Sequence, residues 1–520
     1  MPEHLRALVA ILVLGCPMLW FVQRALCPGV MATADFVRRR NLWIGLTLAA
    51  FLSHNYWLFV AIAAVLIVWN ANPAKENNPV ATFLFLLFAV PLLKVKIPGM
   101  GIIEHLFELN HARLLAVLLL LPAAIRLSKG AEVPNLGKAA ADWLLLMLLA
   151  IQTVRVFSET TLTQSLRDVF YMYVDILLIY YVCSRSLRDT TSLREALASA
   201  CAGLLVVAPI AIFEFGRGWL PFASVDDALG VSGHGGGQYL TRGTSVRALG
   251  PAGHPLVLGF ALAVAFGLWT GLRNCVAARY WWSGAVLLLG GLVATLSKGP
   301  WVGAAVMVLI SVAAGPRAGP RLVKLSIGAT LLLLAVFASP NSEGVIAYLP
   351  FVGTLDEGSV TYRSRLFEVS MMVFWISPIV GSSSFLSNPL LEEMRQGEGI
   401  IDMVNSYLIY ALLYGSVGVT LFIGIFLASL SGLFSWMRRV AASSAEDSIL
   451  GAALLATTIG IMVMIATVSS ILSIPVLYWS LCGAGVAYAF AMKARARQSA
   501  NSPMPRRAGP PPTRAVARKP

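Results

Sequence analysis

The sequence predicts an all-α fold, a polytopic transmembrane bundle of 13 to 15 spans with two long loops on one face. Two observations carry that expectation. Of 520 residues, 58% are hydrophobic and only 12% are charged, with a mean hydropathy of +0.77. A soluble globular chain has about 25% charged residues. Apolar stretches approaching the roughly 20 residues a helix needs to cross hydrocarbon recur along almost the whole chain. The net charge of +14 does not indicate a nucleic-acid partner. Lys and Arg sit between apolar stretches and in the C-terminal tail, as positive-inside bias places them, and form no basic stripe on a soluble domain.

The spans read in order. Leu5–Val22 lacks a small-residue cleavage site after it and stays as a helix. Leu42–Trp69 is too long for one untilted helix and is interrupted by Ser53, His54 and Asn55, so it splits into two helices with a tight turn. Val80–Leu93, Ala112–Ile125, Ala139–Val154, Val169–Cys183 and Leu193–Phe213 follow. A polar, glycine-rich gap runs from Glu214 to Gly253. Pro255–Gly271, Trp281–Leu296, Trp301–Ala314 and Leu322–Ala338 come next. A second gap, Ser339 to Met403, holds one semi-apolar stretch, Leu366–Val380. Val404–Phe434, Ile449–Ile471 and Pro475–Met492 close the domain 1–492. The basic tail 493–520, rich in Pro, Arg and Ala, reads as disordered. Six scattered cysteines without a CxxC pair suggest neither a disulfide framework nor a zinc site.

Charge sets the expected orientation. With the tail in the cytoplasm, Arg438–Arg439, Arg317–Lys324, Arg273–Arg279, Arg185–Arg194, Arg126–Lys138 and Arg38–Arg40 all fall inside, and the N-terminus falls outside. Both long gaps and the tight turn Ser297-Lys298-Gly299-Pro300 then land on the outer face.

Three clusters on that face are candidates for chemistry. Lys298 sits between two apolar spans with no room for a solvated loop. It is either a cation held at the interface for an anionic headgroup or a lysine that snorkels to water. Arg242 and Arg247 precede the run Gly250-Pro251-Ala252-Gly253-His254-Pro255, which leads into a helix. Backbone N–H groups at such a helix start favour an anion, and nearby arginines add charge-assisted bonds. An ordinary helix-start turn with His254 as cap is the plainer reading. The second gap carries Arg363 and Arg365 just before its apolar stretch, with Glu398 and Asp402 among acidic residues that mostly read as solvated. No P-loop, HExxH or GxSxG pattern is present.

The residues resemble the O-antigen ligase and polysaccharide polymerase superfamily of bacterial inner-membrane proteins. Arg247-Ala248-Leu249-Gly250-Pro251-Ala252-Gly253-His254-Pro255 looks like its arginine, glycine and Asn/His-Pro approach to a helix. Ser297-Lys298-Gly299-Pro300-Trp301-Val302-Gly303 is similar to its Ser-Arg-Gly-x-Trp-x-Gly turn. Asn405-Ser406-Tyr407-Leu408 with Tyr414-Gly415-Ser416-Val417-Gly418 is similar to its His-Asn-x-Tyr-Leu followed by Gly-x-x-Gly. Arg365 to Phe385 looks like the segment that precedes that helix. The resemblance spans Arg247 to Gly418, about a third of the chain.

It implies a membrane glycosyltransferase, independent of metals and cofactors, that inverts the anomeric centre at the outer face of a Gram-negative inner membrane. The donor would be an undecaprenyl-pyrophosphate-linked oligosaccharide. Arg247, Lys298, Arg363, Arg365, Arg242 and Asn405 would bind it. Lys298 stands where the family usually has Arg and offers a point charge without a bidentate fork. The histidine that precedes the Asn in the ligases is Val404 here, which cannot take a proton. The general base would then be Asp402, Glu398 or His254, and a repeat-unit polymerase is favoured over a ligase. A chain-length-regulating protein is a candidate partner. A flippase would want charges at midplane, where Glu104, Arg155 and Asp175 are the candidates. A non-catalytic component of polysaccharide export is the remaining alternative.

Overall fold

The computed structural model describes residues 1–70, 76–99, 104–130, 133–231, 239–315, 318–338, 357–396, 399–441 and 444–501. It is about 76% helical with almost no sheet. Among the described residues, seven helices are long and apolar enough to cross a membrane. They are Glu3–Leu26, His111–Lys129, Ala140–Glu159, Thr190–Arg217, Ser406–Val440, Ala445–Ile465 and the helix beginning at Ile474. Tyr56–Asn70, Pro255–Thr270 and Lys298–Ala314 are apolar but shorter. These lengths and compositions do not reach the 13 to 15 spans expected.

The interruption at Ser53–Asn55 separates Thr33–Leu52 from Tyr56–Asn70. Asn55 makes the break locally. Its side-chain oxygen accepts from the backbone N–H groups of Trp57 and Leu58, and so caps the second helix.

Five segments depart from the expected pattern. Val80–Leu93 is not a spanning helix. Only Pro79–Leu86 is helical, and every residue from 79 to 93 is buried. Its apolar run signals the protein interior, where irregular backbone is tolerated because protein covers it. Two short antiparallel hairpins occur, Val95–Pro98 with His105–Leu109, and Thr241–Arg242 with Ser245–Val246. The second gap holds a full helix, Glu357–Phe374, starting earlier than its apolar stretch. The last helix runs from Ile474 to Asn501, so residues 493–501 of the tail are helical; residues 502–520 lie outside the described set.

Contacts gather the loops at two ends of the bundle. At the tail end, Arg39 lies between Glu76 (2.9 Å) and Glu195 (2.7 Å) and donates to Thr82 and Ser199. Arg185 pairs with Asp142, which also accepts from the Tyr180 hydroxyl. Arg194 reaches Glu446, and Arg495 pairs with Asp447. At the other end, the Trp219 indole N–H donates to Glu3, the His4 and His54 rings meet edge-on, and the Tyr56 hydroxyl donates to Leu109 O. Loops assigned to one side from charge therefore touch one another.

Small residues bring the helices around the candidate site together. A Cβ on Gly303 would meet Met464 at 2.2 Å, and one on Gly460 would meet Met307 at 2.4 Å and Gly303 O at 3.2 Å. This is the close backbone approach that a Gly-x-x-x-Gly pair such as Gly299 and Gly303 allows in membranes. A Cβ on Gly259 would meet Thr295 at 2.8 Å and Ser297 and Pro300 at 3.2 Å.

Ser406–Val440 is broken at Gly415 (φ 65°, ψ −163°). The turn 377–382 inserts there. Ser416 N donates to Pro378 O and Ser382 N donates to Leu412 O, each at 2.8 Å. Arg155 donates to Leu413 O and Val380 O, supplying partners for carbonyls released by the break. The segment from Tyr362 to Leu413 packs on a small core of its own, centred on Leu366, Val369, Phe385, Leu391 and Leu412.

Candidate functional site

The helix Ala278–Ala294 ends in a tight turn, Thr295-Leu296-Ser297, in which Leu296 adopts φ 48°. Its last carbonyls need partners, and the segment 242–248 supplies them. Ala248 N donates to Ala294 O at 3.1 Å, Arg247 Nε to Thr295 O at 3.1 Å, and Arg242 to Leu296 O. Arg247 also donates to Ser297 Oγ at 3.0 Å. Ser297 in turn donates to Pro255 O, tying the turn to the next helix start. Arg242, Arg247, His254 and Lys298 are thereby gathered around one turn. Lys298, half-buried, is the first residue of Lys298–Ala314. A positive charge there opposes the helix dipole.

The glycine-rich approach behaves differently from its sequence reading. The backbone N–H groups of Leu249 and Gly250 do not wait for a ligand. Both donate to Glu214 Oε2, at 2.9 and 2.8 Å. Glu214 is fully buried near the end of Thr190–Arg217, and its Oε1 has no hydrogen-bond partner among the described residues. The chain's own carboxylate occupies this anion nest. Nothing in the sequence flagged Glu214, which reads as the first residue of a loop. Glu214→Ala is expected to strand both N–H groups, at roughly 1–3 kcal/mol for each buried group left unmade. Glu214→Gln keeps an acceptor oxygen and should lose far less. Thermal unfolding of both variants in detergent distinguishes them.

His254 is the N-cap of Pro255–Thr270, and its Nδ1 accepts from Leu256 N at 3.1 Å. Burial, then Arg247, pushes its pKa down to about 4. With the Nδ1 lone pair engaged, the proton of the neutral ring sits on Nε2, so the ring is a donor and not the expected base.

Asn405 caps Ser406–Val440, accepting from Tyr407 N at 2.9 Å and Leu408 N at 3.3 Å. Its side-chain oxygen is therefore committed to the helix. The turn around it is fixed by the serine-rich stretch 469–470. Ser406 Oγ donates to Val468 O and meets Ser470 Oγ at 2.7 Å, while Ser469 Oγ donates to Met403 O. Asp402 is exposed, lies 3.4 Å from Ser469 Oγ, and its backbone N–H donates to the Tyr362 hydroxyl. The neighbouring Thr467 and Val468 pack on Gly299. The turn 467–470 thus bridges 295–299 and 402–406, an arrangement its hydroxyl-rich composition alone hinted at.

Arg363 and Arg365 are not gathered there. Both are exposed on Glu357–Phe374, and Arg365 faces Glu368 on the same helix at 3.7 Å. Glu398 lies outside the described residues. Of the midplane charges that would suit a flippase, Asp175 pairs with Arg113 at 2.8 Å, Arg155 pairs with Glu159 and caps the helix break, and Glu104 is exposed. No group of three or more potential metal ligands occurs among the described residues.

No protein-family model and no curated protein matches this chain.

Proposed function

We propose that this chain is a repeat-unit polymerase that transfers glycan from undecaprenyl pyrophosphate at the periplasmic face of a bacterial inner membrane, with its C-terminus in the cytoplasm. One observation carries the reading. The segments 247–255 and 297–303, remote in sequence, abut in space around Arg242, Arg247 and Lys298, and the stretch 467–470 that packs on Gly299 also holds 403–406. A cationic turn at a helix start, in a chain that spans the membrane, suits a lipid pyrophosphate.

In the reaction, an acceptor sugar hydroxyl attacks the anomeric carbon from the face opposite the pyrophosphate. The bond from that carbon to the pyrophosphate oxygen breaks, and lipid pyrophosphate leaves with the electron pair. Lys298 balances charge on the departing group. Arg247 and Arg242 hold the turn that presents Lys298, since they donate to its carbonyls and to Ser297. Asp402 takes the hydroxyl proton, the one candidate base described as an exposed carboxylate; general-base assistance contributes about 10²- to 10⁴-fold.

Turnover of a polyprenyl-pyrophosphate-linked repeat unit by protein in nanodiscs tests this. Lys298→Ala should cut turnover about 10²-fold, and Lys298→Arg should keep most of it. Equal rates in all three proteins refute the assignment. A scaffold within a polysaccharide export complex is the second reading. It is favoured by one fact, that Arg247 spends two donors on Thr295 O and Ser297 Oγ.

A further inference from the structure

We propose that the end of Glu357–Phe374 and the turn after it, Trp375–Val380, form a wedge seated in the phospholipid leaflet on the Arg247 side, and not a loop in water. Trp375, Ile376, Ile379 and Val380 are 64–69% exposed, and Phe367 and Met372 are 51% and 55% exposed. They are not an unfinished core, because the segment already buries Leu366, Val369, Val373 and Phe385 among themselves. Apolar patches of this kind in water are rare and mark a binding surface.

Depth identifies the occupant. The turn docks against Gly415 through Ser416 N to Pro378 O. Gly415 precedes Arg438 on the same helix by about 23 residues, roughly 35 Å at 1.5 Å per residue. Hydrocarbon is about 30 Å thick. With Arg438 at one boundary, Gly415 and the turn lie at the other. Arg155, bonded to Val380 O, marks the same level on Ala140–Glu159. Val154 (71% exposed) and Phe157 (45%) flank it and extend the wedge into the lipid-facing surface of that helix. Trp375 has the aromatic character that membrane interfaces favour. A cleft of about 340 Å³ behind the wedge, lined by Phe374, Ser377, Ser382, Phe385 and Leu412, then opens at headgroup level.

The test is a nitroxide placed by Ile376→Cys or Ile379→Cys in a background without the six native cysteines. The protein is held in nanodiscs of phosphatidylethanolamine and phosphatidylglycerol. Both sites are exposed, so labelling leaves the packing intact, and Glu393→Cys, exposed nearby, is the water control. The expected result is oxygen collisions exceeding those of a nickel chelate several-fold at 376 and 379, with the reverse at 393. Nickel access at 376 and 379 equal to that at 393 overturns the proposal, as does protection from both agents, which would mean a protein partner covers the face.

Discussion

Arg39→Ala is expected to cost about 3–5 kcal/mol and to leave little folded protein in the membrane, because it strands buried charge. Arg39 is fully buried at the tail end, and Glu76 and Glu195 close on it from two other segments. Removing the guanidinium leaves a buried carboxylate at Glu76 without its cation, and leaves Thr82 and Ser199 without their donor. Arg39→Lys keeps the charge but cannot reach four acceptors in a fixed fork, so an intermediate loss is expected. The Arg185–Asp142 pair has the same character, and Asp142 further accepts from Gly137 N and Ala139 N. Midpoints of thermal unfolding in detergent and membrane protein yield check both. Wild-type values for Arg39→Ala would mean that water reaches the site and solvates the carboxylates.

Gly415→Ala should be nearly as damaging and more local. At φ 65° and ψ −163° the backbone sits where only glycine is comfortable, at a cost of roughly 1–3 kcal/mol for another residue. A Cβ there would also lie 2.1 Å from Ile379 O and 2.6 Å from Val380 N. These are backbone atoms that cannot swing aside, so the turn 377–382 must leave. The expected signature is faster proteolysis within 357–400 with the rest of the bundle protected. Arg155→Ala should show a weaker version, since it removes the partner of Leu413 O and Val380 O but no steric clash results.

Much of the bundle was legible because helix starts and lipid-facing runs are local properties. Ser53-His54-Asn55 broke a helix where its polarity said it would. Charge at Arg38–Arg40, Arg185 and Arg194 sorted loops that do touch in space. What failed is instructive. Val80–Leu93 looked like a span because hydropathy cannot separate lipid from protein interior, and this segment is buried throughout. The tail seemed disordered from Lys493 on, yet Lys493, Arg495 and Arg497 are helix formers that extend Ile474–Asn501, and Arg495 gains Asp447 as a partner.

The candidate site was half legible. Residue types and spacing picked out Arg242, Arg247, His254 and Lys298, and these share one turn. Whether a side chain faces a ligand or its own backbone is a three-dimensional question. Arg247 and Asn405 answer it by bonding to main-chain groups, and His254 by capping a helix. Glu214 was invisible because its role depends on Leu249 and Gly250, more than thirty residues away. Arg363 and Arg365 share the face in sequence but project from a different helix.

The central claim is tested most directly by glycan size in cells. The gene is deleted and restored as wild type, Lys298→Ala, Lys298→Arg or Asp402→Asn, at matched membrane levels, and lipid-linked and surface glycans are resolved by length. The expected result is loss of long polymer with single lipid-linked repeat units retained for Lys298→Ala and Asp402→Asn, and recovery with Lys298→Arg. Long lipid-linked chains that never reach an acceptor would contradict polymerisation and indicate a ligase. Glycans of normal length with every variant would contradict catalysis at this turn altogether.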